Sequence, residues 1–183
     1  MDHIREPFED HRSRKVAIVA HCNLNQNSRV LGLAERSSIL TEIVELLEKH
    51  DIGIVQMPCP ELTYAGIFRK PLAKEQYDTI MFRRHCRKIA KEIVDQIQEY
   101  SRSQTRTILV IGFDGSPSCG VTETSKVSGR QYDSEDKYGE GAGILIEELR
   151  SILDEKKVSI PFFGVRYETS SKDLAEIEEL IKD

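Results

Sequence analysis

The sequence predicts a three-layer α/β fold, Rossmann-like, in which a mainly parallel four-stranded sheet carries helices on both faces. Three observations predict it. Short apolar runs alternate along the chain with segments of helical period. The run from Thr107 to Gly112 is the most apolar in the chain, as a central parallel strand covered on both faces must be. No linker, repeat or low-complexity tract divides the 183 residues, a length that suits one domain with a full core. Residues 1–14, rich in alternating charge, read as an N-terminal surface arm, and residues 15–183 as a single domain.

The elements follow in order. Lys15 to Ala20 is the first strand, and a polar loop runs from His21 to Arg29. Ser37 to His50 is a helix whose stripe is Ile39, Leu40, Ile43, Val44, Leu46 and Leu47. Ile52 to Gln56 is the second strand. It enters Met57-Pro58-Cys59-Pro60, whose two prolines impose extended backbone around the thiol. After a loop with Gly66 and Pro71, Thr79 to Tyr100 forms a long helix with Ile89, Ile93, Val94 and Ile97 inside. The third strand ends in Phe113-Asp-Gly-Ser-Pro-Ser-Cys-Gly120. Val121 to Tyr138 is polar and reads as one long loop, placed to cover the cysteine turn. Gly139 to Gly143 opens a helix carrying Leu145, Leu149, Ile152 and Leu153. Ile160 to Val165 is the fourth strand. A last helix follows, capped by Ser170, with Asp173 in its first turn and Leu174, Ile177, Leu180 and Ile181 inside. Right-handed crossovers put helices on both faces of the sheet, and strand one placed centrally, in the order 2-1-3-4, sets a topological switch point beside Cys22.

Composition narrows the function. Charged residues make up 31% and hydrophobic ones 39%, an ordinary soluble balance. The apolar runs fall far short of the roughly 20 residues of a membrane span. The N-terminus has no apolar core of the secretory kind. The expectation is a cytoplasmic protein with no membrane partner. A net charge of −5 argues against a nucleic-acid polymer as partner. The basic stretch Arg83-Arg84-His85-Cys86-Arg87-Lys88 spreads round a helix and reads as a solvated face. Oligomeric state is not legible.

The chemistry lies in the cysteines. Cys22, Cys59 and Cys119 each follow a strand, so in a parallel sheet all three reach the C-terminal edge, where open α/β sheets bind ligands. Each sits in a loop stiffened by Pro or Gly or beside a strand end. Three such thiols suit an iron–sulfur cluster with one open position or a zinc ion with a water. A structural role and a nucleophilic or redox role stand beside these readings. Cys86, inside the long helix, reads as a core or surface helix residue.

Cys22-Asn-Leu-Asn-Gln-Asn-Ser-Arg29, Cys59-Pro-Glu61 with Gly66 after it, and Ser116-Pro-Ser-Cys-Gly120 occur in an order that resembles the thiouracil desulfidase family, once a domain of unknown function. Ser128-Gly129 and Gly139-Glu-Gly141 extend the likeness, which spans roughly Val16 to Val165. The resemblance implies a [4Fe-4S] cluster held by Cys22, Cys59 and Cys119, whose fourth iron captures the sulfur of a small thiolated substrate. It implies catalytic roles for Glu61 and for Ser116 or Ser118. Ser118 adjoins a ligand, so its side chain is expected to differ in direction from that of Cys119. The segment after the first cysteine departs from the family's usual Leu-Leu-Gly and later Arg-Tyr-Asp-Gly, and the one after Cys59-Pro-Glu61 differs with Tyr64 and Ala65 before Gly66, which marks a divergent branch.

Further candidates are weaker. Asn23, Asn25 and Asn27 offer paired donors and acceptors for a nucleobase edge, and equally form turns. Arg29 and Gly141 join them as substrate-binding candidates, the Gly-rich helix start as an anion site. Tyr132 and Tyr138 are candidates to stack on a base, and His21 is a candidate hydrogen-bonded neighbour of the first ligand. Two functions compete: a cluster-dependent desulfidase that releases sulfide, with Glu61 positioning water, and a non-catalytic iron–sulfur or zinc module in sulfur handling or redox. A cluster-free nucleotide-binding domain is the third reading, weakened by the missing phosphate loop.

Overall fold

Alternating burial organises the sheet. In β1 (Lys15–Ala20) Ala17 and Val19 enter one apolar layer and Ile18 and Ala20 the other, and all four are fully buried. β2 (Gly53–Met57), β3 (Arg106–Phe113) and β6 (Phe162–Val165) join β1 in one parallel sheet of order β2-β1-β3-β6. This is the expected order, and its switch point lies between β1 and β3. The computed structural model describes residues 9–127, 137–168 and 171–182.

Helices cover both faces, as strands buried on two sides require. On one face α5 (Ile80–Arg102) and α6 (Ile144–Glu155) cover Ile18, Met57 and Val110 with Phe82, Ile93, Leu145 and Leu149. On the other α2 (Thr41–Lys49) and α7 (Ser171–Lys182) present Ile43, Leu47 and Ile177 to Val19, Leu109 and Ile111. Thr79 caps α5, its hydroxyl accepting from the Phe82 amide at 3.2 Å,. The basic stretch of α5 is not merely a solvated face. Arg83 pairs with Asp78, Glu147 and Glu148, and Arg87 with Glu148 and Glu155, lacing α5 to α6. No helix among the described residues is long and apolar enough to cross a membrane.

Short elements break up the expected loops. His21–Leu24 is a helical turn (α1), Gln26–Ser28 a 3₁₀ turn, Pro60–Ala65 the helix α3 and Lys74–Tyr77 the helix α4. The stretch after Cys119 is not one loop: Glu123–Lys126 (β4) pairs antiparallel with Lys137–Glu140 (β5). Its polar composition hides a hairpin because Thr124 and Ser125 are the buried residues of β4. The expected covering movement centres on residues 128–136, which with Ser128, Gly129, Tyr132 and the Ser170 cap lie outside the described residues. The Gly-rich segment is not a helix start at Gly139. β5 runs to Glu140, and α6 begins at Ile144 with Gly143 as its cap.

The turn that carries Cys119 is held by one carboxylate. Asp114 Oδ1 accepts from the Val121 and Thr122 amides at 2.6 and 3.0 Å, and Oδ2 accepts from the Thr122 hydroxyl. The Asp114 amide donates to the Val165 carbonyl at 2.9 Å, anchoring the turn to β6. Gly164 makes room for it: a Cβ there would lie 2.2 Å from Asp114 Cγ. Gly143 does the same behind the cysteine, where a Cβ would lie 2.3 Å from the Ser118 carbonyl carbon.

Two predictions follow from this packing. Gly164→Ala should displace the Asp114 carboxylate and lower stability by about 2–4 kcal/mol, from overpacking and lost charged hydrogen bonds. Chemical denaturation measures this, and a change under about 0.5 kcal/mol, the size of an ordinary surface substitution, would refute it. The second concerns α2 and α7. Hydrogen bonds from Lys49 and His50 hold the Glu178 carboxyl at about 2. Because the folded value lies below the unfolded one, the contact stabilises fully above the ordinary carboxylate range and is lost as pH falls toward 2. Thermal midpoints of Glu178→Gln and the parent should therefore differ at pH 7 and converge near pH 2. A difference independent of pH contradicts the pairing.

Candidate active site

Three strand ends deliver three thiols to one place. Cys22 lies in α1 after β1, Cys59 caps α3 after β2, and Cys119 lies in the turn after β3. All three line a single cavity of about 100 Å³ at the C-terminal edge of the sheet, with Glu61, Ser116, Ser118, Arg29 and Arg69. Cys86 is apart from it, fully buried in the layer under α5. All four cysteines are free thiols.

Cys119 is buried and Cys22 and Cys59 are half-buried, and the three lie within electrostatic reach of one another. Burial pushes the Cys59 thiol up to about 12, with the Glu61 charge adding to it. Burial raises Cys119 well above the ordinary thiol range, and the neighbouring Cys59 and Cys22 raise it further. Burial raises Cys22 too, against the opposing pull of the Arg29 guanidinium. Three thiols so placed resist ionisation unless a cation sits among them, since a bound metal inverts the local charge balance. The donor set is therefore poor as a lone nucleophile and well matched to a multi-iron cluster. Among the described residues no three His, Cys, Asp or Glu side chains form a group able to hold a single metal ion.

Glu61 stands beside the thiols on the first turn of α3, only 8% exposed. Its Oε1 accepts from Ser118 Oγ at 2.6 Å and from Ser116 Oγ at 3.4 Å. The two serines divide the work. Ser116 Oγ accepts from the Ser118 and Cys119 amides at 3.2 and 3.1 Å, so it caps the turn,. Ser118, fully buried, touches both Glu61 and Cys119, its Oγ 3.6 Å from Cys119 Sγ. The tight turn leaves these two adjacent side chains in contact. Cys59 Sγ accepts from the Leu62 amide at 3.4 Å.

Arg29 lies in the cavity wall with its guanidinium 4.3 Å from the Phe113 ring centre and 5.1 Å from that of Tyr167. This aromatic clamp fixes a cation beside Cys22. Asn23, Asn25 and Gly141 do not line the cavity. Asn23 is buried and donates to the Gly112 carbonyl at 3.2 Å, tying α1 to β3. Asn25 accepts from Asn27 backbone and side chain at 3.1 Å each, a turn device. Gly141 donates its amide to Thr122 at the hairpin end. Nor is the start of α6 free for an anion: the Ile144 and Leu145 amides donate to Pro117 and Ser118 carbonyls at 3.0 and 2.9 Å. His21 lines the cavity, and burial lowers its imidazole pKa. Its side chain makes no hydrogen bond among the described residues. Tyr138 reaches the rim, its ring packed on Gly115.

Two cavity residues escaped the sequence reading. Asp114 had a signal, an acid directly after a strand and before Gly-Ser-Pro, where Asx turns form. Arg69 had none. It lies in an irregular loop, yet its side chain is 4% exposed and its Nε is 3.6 Å from Glu61 Oε2.

Comparison with known proteins agrees with this geometry. Residues 14–138 match the family described as "Putative 2-thiouracil desulfurase". An uncharacterized protein of Methanocaldococcus jannaschii, MJ0003, is 34% identical over 175 residues, covering 93% of this chain and 99% of its own. The solved structure of TudS, a [4Fe-4S]-dependent thiouracil desulfidase, superposes with a TM-score of 0.53 at 18% identity, over 91% of this chain and 99% of that one. That likeness carries the fold, and the family match carries the lineage: this chain belongs to the 2-thiouracil desulfurase family.

Proposed function

We propose that Cys22, Cys59 and Cys119 hold a [4Fe-4S] cluster, and that the protein removes sulfur from a small thiolated compound such as a thiopyrimidine. The observation that carries this reading is the meeting of three thiols with the buried Glu61 carboxylate in one cavity. Family membership supports it, and so does TudS, which shares the fold and is [4Fe-4S]-dependent. A zinc module is the weaker reading. Three thiolates and a water also suit zinc, but TudS, which shares the fold, is [4Fe-4S]-dependent. When bound, the cluster supplies an iron without a protein ligand, a thiophilic Lewis acid for the substrate's sulfur.

The overall change is C=S plus water giving C=O plus hydrogen sulfide, with no electron transferred. Water must add to the thiocarbonyl carbon, lose a proton, and the C–S bond must break. Glu61 Oε1 is occupied by the serine hydroxyls, so Oε2 is the oxygen available to take the proton. Ser118 orients that carboxylate and sits against the Cys119 sulfur. Arg29, held between Phe113 and Tyr167, offers a fixed positive charge on the cavity wall to polar atoms of the substrate ring. The buried walls limit bulk water at the reacting carbon.

Anaerobic reconstitution should give a brown protein with about four irons per chain, as a [4Fe-4S] centre requires. Serine at Cys22, Cys59 or Cys119 should sharply lower bound iron, while Cys86→Ser should leave it unchanged. Iron loss on changing Cys86, or none on changing the others, contradicts the ligand set. Glu61→Gln separates enzyme from passive module. Iron should stay constant while sulfide release from thiopyrimidines falls by roughly 10²–10⁴, the usual contribution of a general base. Turnover equal to the parent's would remove Glu61 from the chemistry.

A further inference from the structure

Arg29 is held more firmly than a place on a cavity wall requires. Its guanidinium lies 4.3 Å from the Phe113 ring centre and 5.1 Å from that of Tyr167, and the two rings meet edge to face at 5.0 Å and 68°. The Tyr167 ring is itself fixed, because its hydroxyl reaches Gln26 Oε1 at 2.8 Å and the Leu33 carbonyl at 3.0 Å. The peptide between Ser28 and Arg29 is pinned at both polar atoms. The Arg29 amide donates to the Gln26 carbonyl at 3.1 Å, and the Ser28 carbonyl accepts from Arg69 Nη2 at 2.7 Å.

The cavity does not use up this cation. The two carboxylates on the same wall are engaged elsewhere, Glu61 with Ser118 and Arg69, and Asp114 with Val121 and Thr122. The Cys22 sulfur takes up part of the guanidinium, but the group carries five N–H donors in a rigid planar fork. Phe113 and Tyr167 hold it by their ring faces, which consume none of those donors. A half-buried fork fixed in advance loses little freedom on binding and favours a ligand with an oxygen acceptor. Building on the desulfidase reading above, we propose that Arg29 is a specificity-determining residue whose guanidinium donates to an oxo group on the substrate ring. The protein then takes thiopyrimidines that carry a ring oxygen in preference to those that lack one. Without that oxygen the fork is stripped of water and gains no acceptor, and unpaired donors of this kind are what make a site selective. The contact transfers no proton and breaks no bond.

The test compares 2-thiouracil with the 2-thiopyrimidine that lacks its ring oxo group, on the full, anaerobically reconstituted protein. The parent's kcat/KM should favour the oxo compound by about 10- to 100-fold, the range of a hydrogen bond to a charged group. In Arg29→Gln that ratio should collapse to within about threefold of one. Arg29→Lys keeps a charge beside Cys22 but lacks the fork, and should retain iron while losing most of the ratio. No preference in the parent, or an unchanged ratio in Arg29→Gln, overturns the proposal. Loss of bound iron in both variants would assign Arg29 to the thiols and overturns it too. A second arm needs no turnover. The sulfur-free products, uracil and 2-pyrimidinone, are titrated into the parent and Arg29→Gln and followed by calorimetry. Uracil should bind the parent at least tenfold more tightly than 2-pyrimidinone and lose that advantage in the variant, and equal binding to the parent overturns the proposal. If the parent releases no sulfide from either thiopyrimidine, the desulfidase reading fails, while calorimetry still decides whether Arg29 reads a ring oxygen.

Discussion

The Asp114 carboxylate is the fixed point on which the site depends. It collects the amides of Val121 and Thr122 and the Thr122 hydroxyl, and its own backbone is bonded to β6. A buried carboxylate must be satisfied by hydrogen bonds, so the chain after β3 is forced to fold back round it. That fold-back makes the tight turn of Ser116, Pro117, Ser118 and Cys119. The first amides of α6 then close on the Pro117 and Ser118 carbonyls. One strand end, one acid and one helix start thereby fix the third thiol to the sheet.

The other two thiols are placed by different means that reach the same edge. Cys59 is set by the proline-flanked entry to α3 and accepts the Leu62 amide. Cys22 follows β1 directly in a turn braced by Asn23 on Gly112 and by Gln26 Nε2 on the Cys22 carbonyl at 2.6 Å. Tyr167, beyond β6, joins this brace by donating to Gln26 Oε1 at 2.8 Å, and its ring also supports Arg29. Loops after three strands of the sheet therefore line the cavity, and Tyr167, beyond the fourth, braces it. This is why the switch point, and no other part of the sheet, can gather so many functional groups.

The electrostatics of the cavity are unbalanced by design of the fold. Burial raises all three thiols, and neighbouring cysteines add to it at Cys59 and Cys119. Glu61 adds negative charge beside them, and two guanidinium groups, Arg29 and Arg69, stand on the wall. The thiols stay protonated unless a cation among them displaces their protons. The buried ion pair of Arg69 and Glu61 costs desolvation and is weak support for stability. It fixes the Glu61 carboxylate beside the thiols.

Much of this was legible in the residues. The periods of Lys15–Ala20, Thr107–Gly112 and Thr79–Tyr100 mark two strands and a helix because backbone geometry imposes 2 and 3.6 residues per repeat on whichever face is buried. The position of Cys22, Cys59 and Cys119 after strands, with Glu61 two residues beyond Cys59, follows from local order along the chain. What sequence left open depends on contacts between distant segments. The hairpin of Glu123–Lys126 carries no apolar alternation because its partner and the Ser116 turn supply its burial. Asn23 and Asn25 have the same composition as recognition residues and became braces because carbonyls and amides of other segments claimed them. Arg69 is an unremarkable loop basic residue until the fold buries it against Glu61. The sequence by itself determined the sheet, its covering helices and the edge on which the thiols sit, because those follow from short-range periodicity. Only the tertiary structure decided which polar side chains face the cavity and which hold it together, because a hydrogen-bonding group serves whichever partner packing brings within reach.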